Sequence, residues 1–116
     1  MELEFKTNKL KKQCEDPLEA QKVYGKPIGN KLTKRVNELK AAKDLNDIAK
    51  MSRINGFHGL EGDRKDEFAV YLVHPHRLIF KAEINEGSSY DNITYDNIKV
   101  IRIEEVNDYH GKNKRK

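Results

Sequence analysis

Residues 67–84, EFAVYLVHPHRLIFKAEI, contain two runs of β-branched and aromatic residues separated by a proline-containing turn. Such residues favour strands, and the short turn between the runs predicts an antiparallel hairpin. Within the second run, strand alternation places Leu78 and Phe80 on one face and Arg77 on the other. We therefore expect Arg77 to point away from the core, on a face that a ligand can reach.

Helix signals fill the chain before this hairpin. Asp16 followed by Pro17 is a typical helix start, in which the aspartate caps the helix and the proline takes its first position. The clearest helix comes next, because its apolar residues recur at spacings of four, four and three and so share one face. These residues are Ile28, Leu32, Val36 and Leu39. A further short helical turn is predicted within residues 44–51.

The ends of the chain have strand character. Leu3 and Phe5 alternate with charged residues, and residues 98–103 form another apolar run. Helices followed by strands predict an α+β fold, in which N-terminal helices pack on one face of a small twisted antiparallel sheet and leave the other face partly open. We expect a single domain over residues 1–110 and a basic C-terminal tail over residues 111–116.

Charge is distributed unevenly along these 116 residues, whose net charge is +4. Residues 1–56 hold 13 Lys and Arg against 8 Asp and Glu, whereas residues 57–111 hold 6 against 11. The tail adds four more positive charges. A nucleic acid backbone would therefore be held by the helical half and the tail. For charge alone, a solvated helical surface is the simpler explanation.

Several classes of protein are disfavoured. Cys14 is the only cysteine, so an internal disulfide cannot form and a cysteine-based metal site is implausible. The four histidines lack metal-ligand spacing. The chain shows neither a signal-like segment nor an apolar run of about 18 residues, the length that would suggest a membrane span. We expect a soluble cytoplasmic protein with no metal, no cofactor and no membrane association.

Three stretches carry groups suited to cleaving RNA without a metal. Residues 57–64, FHGLEGDR, supply His58, the hairpin supplies Arg77, and residues 107–110, NDYH, end in His110. Histidines near neutral pH suit acid and base roles, and the planar arginine fork suits phosphate oxygens. The sequence does not tell which group is the acid and which is the base.

Each of these residues also has an ordinary structural explanation. His58 lies in a glycine-flanked loop, where histidines often bond to the backbone, and Arg77 is equally explained as a solvated strand residue. Asp63 and Arg64 are explained equally well by an ion pair that fixes the turn. His74 and His76 flank Pro75 at the predicted hairpin tip, where an exposed turn is the simpler explanation. Only the coincidence of the three stretches favours function.

Residues 56–64, followed by two strands with Arg77 in the second and by Asp-Tyr-His at 108–110, resemble the HigB toxins of the RelE/ParE group of bacterial toxin–antitoxin systems. The resemblance implies a RelE-like fold and metal-independent cleavage of messenger RNA on the translating ribosome, by attack of a ribose 2′-hydroxyl on the adjacent phosphate. The catalytic positions that it implies are His58, Arg77, Asp108, Tyr109 and His110.

The resemblance also implies partners and substrate contacts. A HigA-like antitoxin with a helix-turn-helix DNA-binding domain is expected. This chain has Glu61 where HigB-like toxins can place a lysine, which removes a phosphate-binding cation. The cations predicted to bind the substrate are Arg64, Lys31, Lys34 and Lys112.

Two other functions remain open at this stage. The same fold in the ParE branch inhibits DNA gyrase by binding, without catalysis, and in that case the histidines would be dispensable. A basic RNA-binding domain without toxicity would instead depend on its lysines.

Overall fold

The computed structural model describes residues 1–64, 66–83 and 94–108, in which a layer of helices packs on one face of a five-stranded sheet. The helices are α1 (Asn8–Glu15), α2 (Pro17–Tyr24), α3 (Lys26–Ala41), α4 (Leu45–Ala49) and α5 (Ser52–Asn55). The strands are β1 (Glu2–Phe5), β2 (His58–Gly59), β3 (Glu67–Tyr71), β4 (His76–Ala82) and β5 (Val100–Asp108). Short 3₁₀ turns occur at Gly62–Arg64 and Tyr95–Asn97. The predicted domain end at His110 and the tail lie outside the described residues.

The helices begin where side chains can cap them. The Asp16 carboxylate accepts a hydrogen bond from the Leu18 amide at 3.0 Å, and Pro17 opens α2 as predicted. The preceding helix α1 was not predicted, because its apolar residues are few, yet the Thr7 hydroxyl caps it by accepting from the Leu10 amide. The largest helix is α3, which buries the predicted residues Leu32, Val36 and Leu39.

The sheet has the strand order β1-β5-β4-β3-β2. β3 and β4 form the predicted antiparallel hairpin, with Phe68 opposite Phe80. β1 runs parallel to β5, with Phe5 opposite Ile103, so the sheet is mixed and the prediction of an antiparallel sheet is wrong for this strand. Because β1 joins the sheet through the helical layer and not through a hairpin turn, no turn geometry forces it to run antiparallel.

The two faces of the sheet differ in what covers them. Leu78 and Phe80 of β4 are fully buried in the core that the sheet shares with Leu32 of α3. Arg77 and Ile79 point to the other face, as alternation predicts. We call this second side the open face.

β5 contains a bulge that changes which residues reach the open face. The pairing with β4 skips Glu104, which lies between the partners of Ile79 and Phe80. One extra residue reverses the alternation of a strand. Odd-numbered residues of β5 therefore face the helices before the bulge and the open face after it, which places Glu105 and Asn107 on the open face.

The structure also bears on membrane spanning. None of the helices within the described residues is both long and apolar enough to cross a bilayer.

Cys14 on α1 should be protected in the native protein. It is 4% exposed, and burial raises the pKa of its thiol from 9.0 to about 12. Burial favours the neutral thiol. The buried thiol therefore stabilises the fold fully below pH 9, and this stabilisation is lost as pH rises toward 12. Because the thiolate is the reacting species, we expect native Cys14 to react with a disulfide reagent about a hundredfold more slowly than in urea. Equal rates in the two conditions would contradict this burial.

Candidate functional site

An open cavity of about 380 Å³ lies on the open face of the sheet. The turn after β2 and strands β2, β4 and β5 supply its walls. The side chains that matter for its chemistry are His58, Glu61, Arg64, Arg77, Ile79 and Asn107. The structure thus brings together three residues predicted from the sequence: His58, Arg64 and Arg77.

His58 is oriented by two neighbours. Its Nδ1 lies 2.8 Å from the Gly56 carbonyl oxygen, which can only accept a hydrogen bond, so Nδ1 carries the proton. In the neutral imidazole, Nε2 then bears the lone pair. This Nε2 lies 3.4 Å from Nη1 of Arg77. The guanidinium of Arg77 therefore donates to the free ring nitrogen of His58 in the cavity.

Gly56 makes this arrangement possible. It ends α5 in the left-handed conformation at φ +69°, which glycine adopts without strain. A Cβ atom at this position would lie 2.2 Å from Cδ2 of Tyr71. The backbone at Gly56 thus presents its carbonyl to His58 and packs closely against the Tyr71 ring.

Arg64 is held by two carboxylates. Its guanidinium donates to Glu67 and, at 2.5 Å, to Glu105 on β5. Burial lowers the pKa of Arg64, but the hydrogen bonds to the two carboxylates outweigh burial and raise it above its usual value. The ion pair expected with Asp63 is replaced by these two, which come from strands on either side of β4. A phosphate could reach Arg64 only in competition with them.

Asn107 was missed as a site residue by sequence reasoning. It lies opposite Arg77 in the β4–β5 ladder and is 5% exposed. Its Oδ1 is buried and has no hydrogen-bond partner among the described residues. A buried acceptor without a partner is costly, and the residue that carries it forms part of the cavity wall.

The end of the chain is only partly described. Asp108 lies opposite His76, with 3.7 Å between Oδ2 and Nε2, and both alternate away from the open face. The structure therefore does not bring the Asp108 side chain to the cavity. His76 is half-buried at the start of β4 and is not an exposed turn residue. Tyr109 and His110 lie outside the described residues.

Two further predicted substrate contacts, Lys31 and Lys34, lie away from the cavity. Lys31 and Lys34 are on α3, and Lys34 lines a separate hollow between helices. Lys112 is outside the part of the chain that the structure describes. Across residues 1–64, 66–83 and 94–108, no group of three His, Cys, Asp or Glu side chains could hold a metal ion.

Comparisons with known proteins give one likeness in fold. No protein-family model matches the chain, and no curated protein matches its sequence. Among solved structures, the chain is similar to the YoeB/ParE toxin from Agrobacterium tumefaciens, with a TM-score of 0.50 over 93% of this chain and 94% of that chain. The two sequences are 12% identical, so the likeness concerns the fold alone.

Proposed function

We propose that this protein is the toxin of a type II toxin–antitoxin system and acts as a HigB-type endoribonuclease on messenger RNA at the ribosome. The observation that carries the proposal is the pair formed by His58 and Arg77 on the open face, 3.4 Å apart. The fold likeness to a protein described as a YoeB/ParE toxin supports a toxin role. The resemblance of residues 56–64 and 108–110 to HigB toxins supports the ribonuclease branch.

The geometry suits attack of a ribose 2′-hydroxyl on the adjacent phosphorus. Arg77 turns its Nη1–H group from Nε2 of His58 to the phosphate, and Nε2 takes the hydroxyl proton as the new O–P bond forms. Arg77 donates to the non-bridging oxygens as negative charge develops on them. The P–O5′ bond breaks, which leaves a 2′,3′-cyclic phosphate on one fragment and a 5′-hydroxyl on the other.

The proton for the departing 5′-oxygen needs a donor. We propose His110 and Tyr109 as the residues that supply this proton. Asp108 receives no direct contact with the phosphate in this proposal, because its side chain alternates away from the open face.

Two partners follow from the proposed function. A cognate antitoxin, with a HigA-like helix-turn-helix domain as the HigB resemblance implies, would neutralise the protein. Messenger RNA on the ribosome would be the substrate. ParE-like inhibition of gyrase is the second candidate, because the fold likeness is to a protein whose description carries both the YoeB and the ParE names.

A cell-free translation reaction with a defined messenger RNA separates these candidates. We expect added wild-type protein to create 5′-hydroxyl ends inside codons, and these ends to vanish when an inhibitor blocks initiation. Supercoiling by purified gyrase should be unchanged in a parallel reaction. Blocked supercoiling without new RNA ends would replace the ribonuclease proposal with the gyrase one.

A further inference from the structure

Tyr71 exposes a large aromatic ring next to the cavity. It is the last residue of β3, lies opposite Arg77, and is 51% exposed. Its ring centroid is 6.3 Å from that of His58. An aromatic surface therefore adjoins both groups that the proposed reaction assigns to the scissile phosphate.

The ring is held in place from behind. An added Cβ on Gly56 would meet Cδ2, Cγ and Cε2 of the ring at 2.2 to 2.5 Å, so the ring packs directly on that backbone. The Tyr71 carbonyl accepts a hydrogen bond of 2.8 Å from Nε of the buried Arg35. A ring positioned in this way binds a flat partner without the entropy cost of ordering a mobile side chain.

The ring borders a second hollow, of about 430 Å³, at the hairpin end of the sheet. Tyr71, His74, Pro75, His76 and Arg77 line it. Arg77 lines both this hollow and the cavity that contains His58. The hollow thus places a stacking surface beside a residue of the cavity that contains His58.

We infer that this hollow is a nucleobase subsite, in which the Tyr71 ring stacks on the base of a nucleotide that flanks the phosphate held by Arg77. The inference rests on the proposed function and adds to it a contact that holds a base next to the phosphate. Stacking on exposed aromatic side chains is the general way in which proteins hold unpaired bases. A protein partner is the alternative occupant, but the presence of Arg77 in the lining of both hollows favours a ligand with alternating phosphates and bases.

The test uses binding, which does not depend on cleavage. The probe is a fluorescein-labelled 2′-O-methyl RNA hexamer, which lacks the attacking hydroxyl, together with a series in which one abasic site moves along the hexamer. We expect fluorescence anisotropy to show about tenfold weaker binding for Tyr71→Ala, and binding within about threefold of wild type for Tyr71→Phe. Leu18→Ala, which removes an apolar side chain exposed on α2, is the control and should bind like wild type.

The abasic series keeps the inference testable even where Tyr71→Ala folds poorly. Wild-type protein should lose about tenfold in affinity at one abasic position only, and Tyr71→Ala should abolish that difference. Equal binding of every abasic hexamer by wild type would overturn the subsite, whether or not translated messenger RNA is cut. Tyr71-dependent binding of the hexamer without any cleavage in translation would support the subsite and overturn the ribonuclease proposal. Unchanged RNA binding by Tyr71→Ala, with binding of the antitoxin lost, would assign the ring to a protein interface.

Discussion

Arg77→Ala is expected to lower the rate of RNA cleavage about a hundredfold to a thousandfold and to leave the fold intact. The half-buried guanidinium lies in the cavity, 3.4 Å from Nε2 of His58, where the proposed reaction develops negative charge. Arg77→Lys should recover only part of the rate, because an ammonium group retains the charge but lacks the planar fork. The measurement is the yield of new 5′-hydroxyl ends in a translation reaction against time.

Lys81→Ala is the matched control for this prediction. Lys81 lies on the same strand and the same face as Arg77, but it pairs with Asp66 at 3.5 Å outside the cavity. We expect the Lys81→Ala variant to cleave RNA at the wild-type rate. Thermal melting of both variants should match that of the wild type to within a few degrees. Wild-type cleavage by Arg77→Ala, or an equal loss in both variants, would show that the open-face cavity is not the site of the reaction.

The second large effect concerns stability. Arg35→Ala is expected to lower the free energy of unfolding by about 3 to 5 kcal/mol. The Arg35 side chain is 5% exposed, and its guanidinium donates to the carbonyl oxygens of Tyr71 at 2.8 Å and Ile54 at 3.2 Å. It also pairs with Glu38 at 2.9 Å. Its removal would leave two carbonyl groups without a donor and a void between α3 and the sheet.

Urea unfolding followed by circular dichroism measures this effect. Lys40→Ala is the control on the same helix, because Lys40 forms an exposed pair with Glu15 at 3.6 Å that should contribute less than about 1 kcal/mol. Arg35→Met fills the space without supplying donors, so it should fall between the wild type and Arg35→Ala. A loss below about 1 kcal/mol for Arg35→Ala would mean that α3 and β3 are joined by apolar packing alone.

The parts of the fold that were predicted are those set by local pattern. The hairpin follows from two runs of strand-forming residues, and Arg77 reaches the open face because β4 alternates without interruption. β5 shows the limit of this reasoning. The residue skipped by the pairing, Glu104, is followed by a second glutamate, and nothing in the sequence marks which one is unpaired. Because of that one extra residue, Asn107 lies on the open face and Asp108 points away from it, the reverse of what uninterrupted alternation would give.

Contacts between distant segments also could not be predicted from the sequence. Arg64 pairs with Glu105, which is 41 residues away, because the sheet register sets them on the same face. The sequence suggested only the adjacent carboxylate of Asp63 as its partner. In the same way, the direction of β1 depends on a crossover through the helical layer, for which no short motif exists.

The place of β5 in the sheet ties completion of the cavity to completion of the strand. β5 is hydrogen-bonded along both edges, to β1 and to β4, and a ribosome makes it after every other element of the described chain. Until residues 100–108 are translated, β1 has no neighbouring strand and the wall that bears Asn107 does not exist. A nascent chain therefore carries His58 and Arg77 without the β5 wall of their cavity.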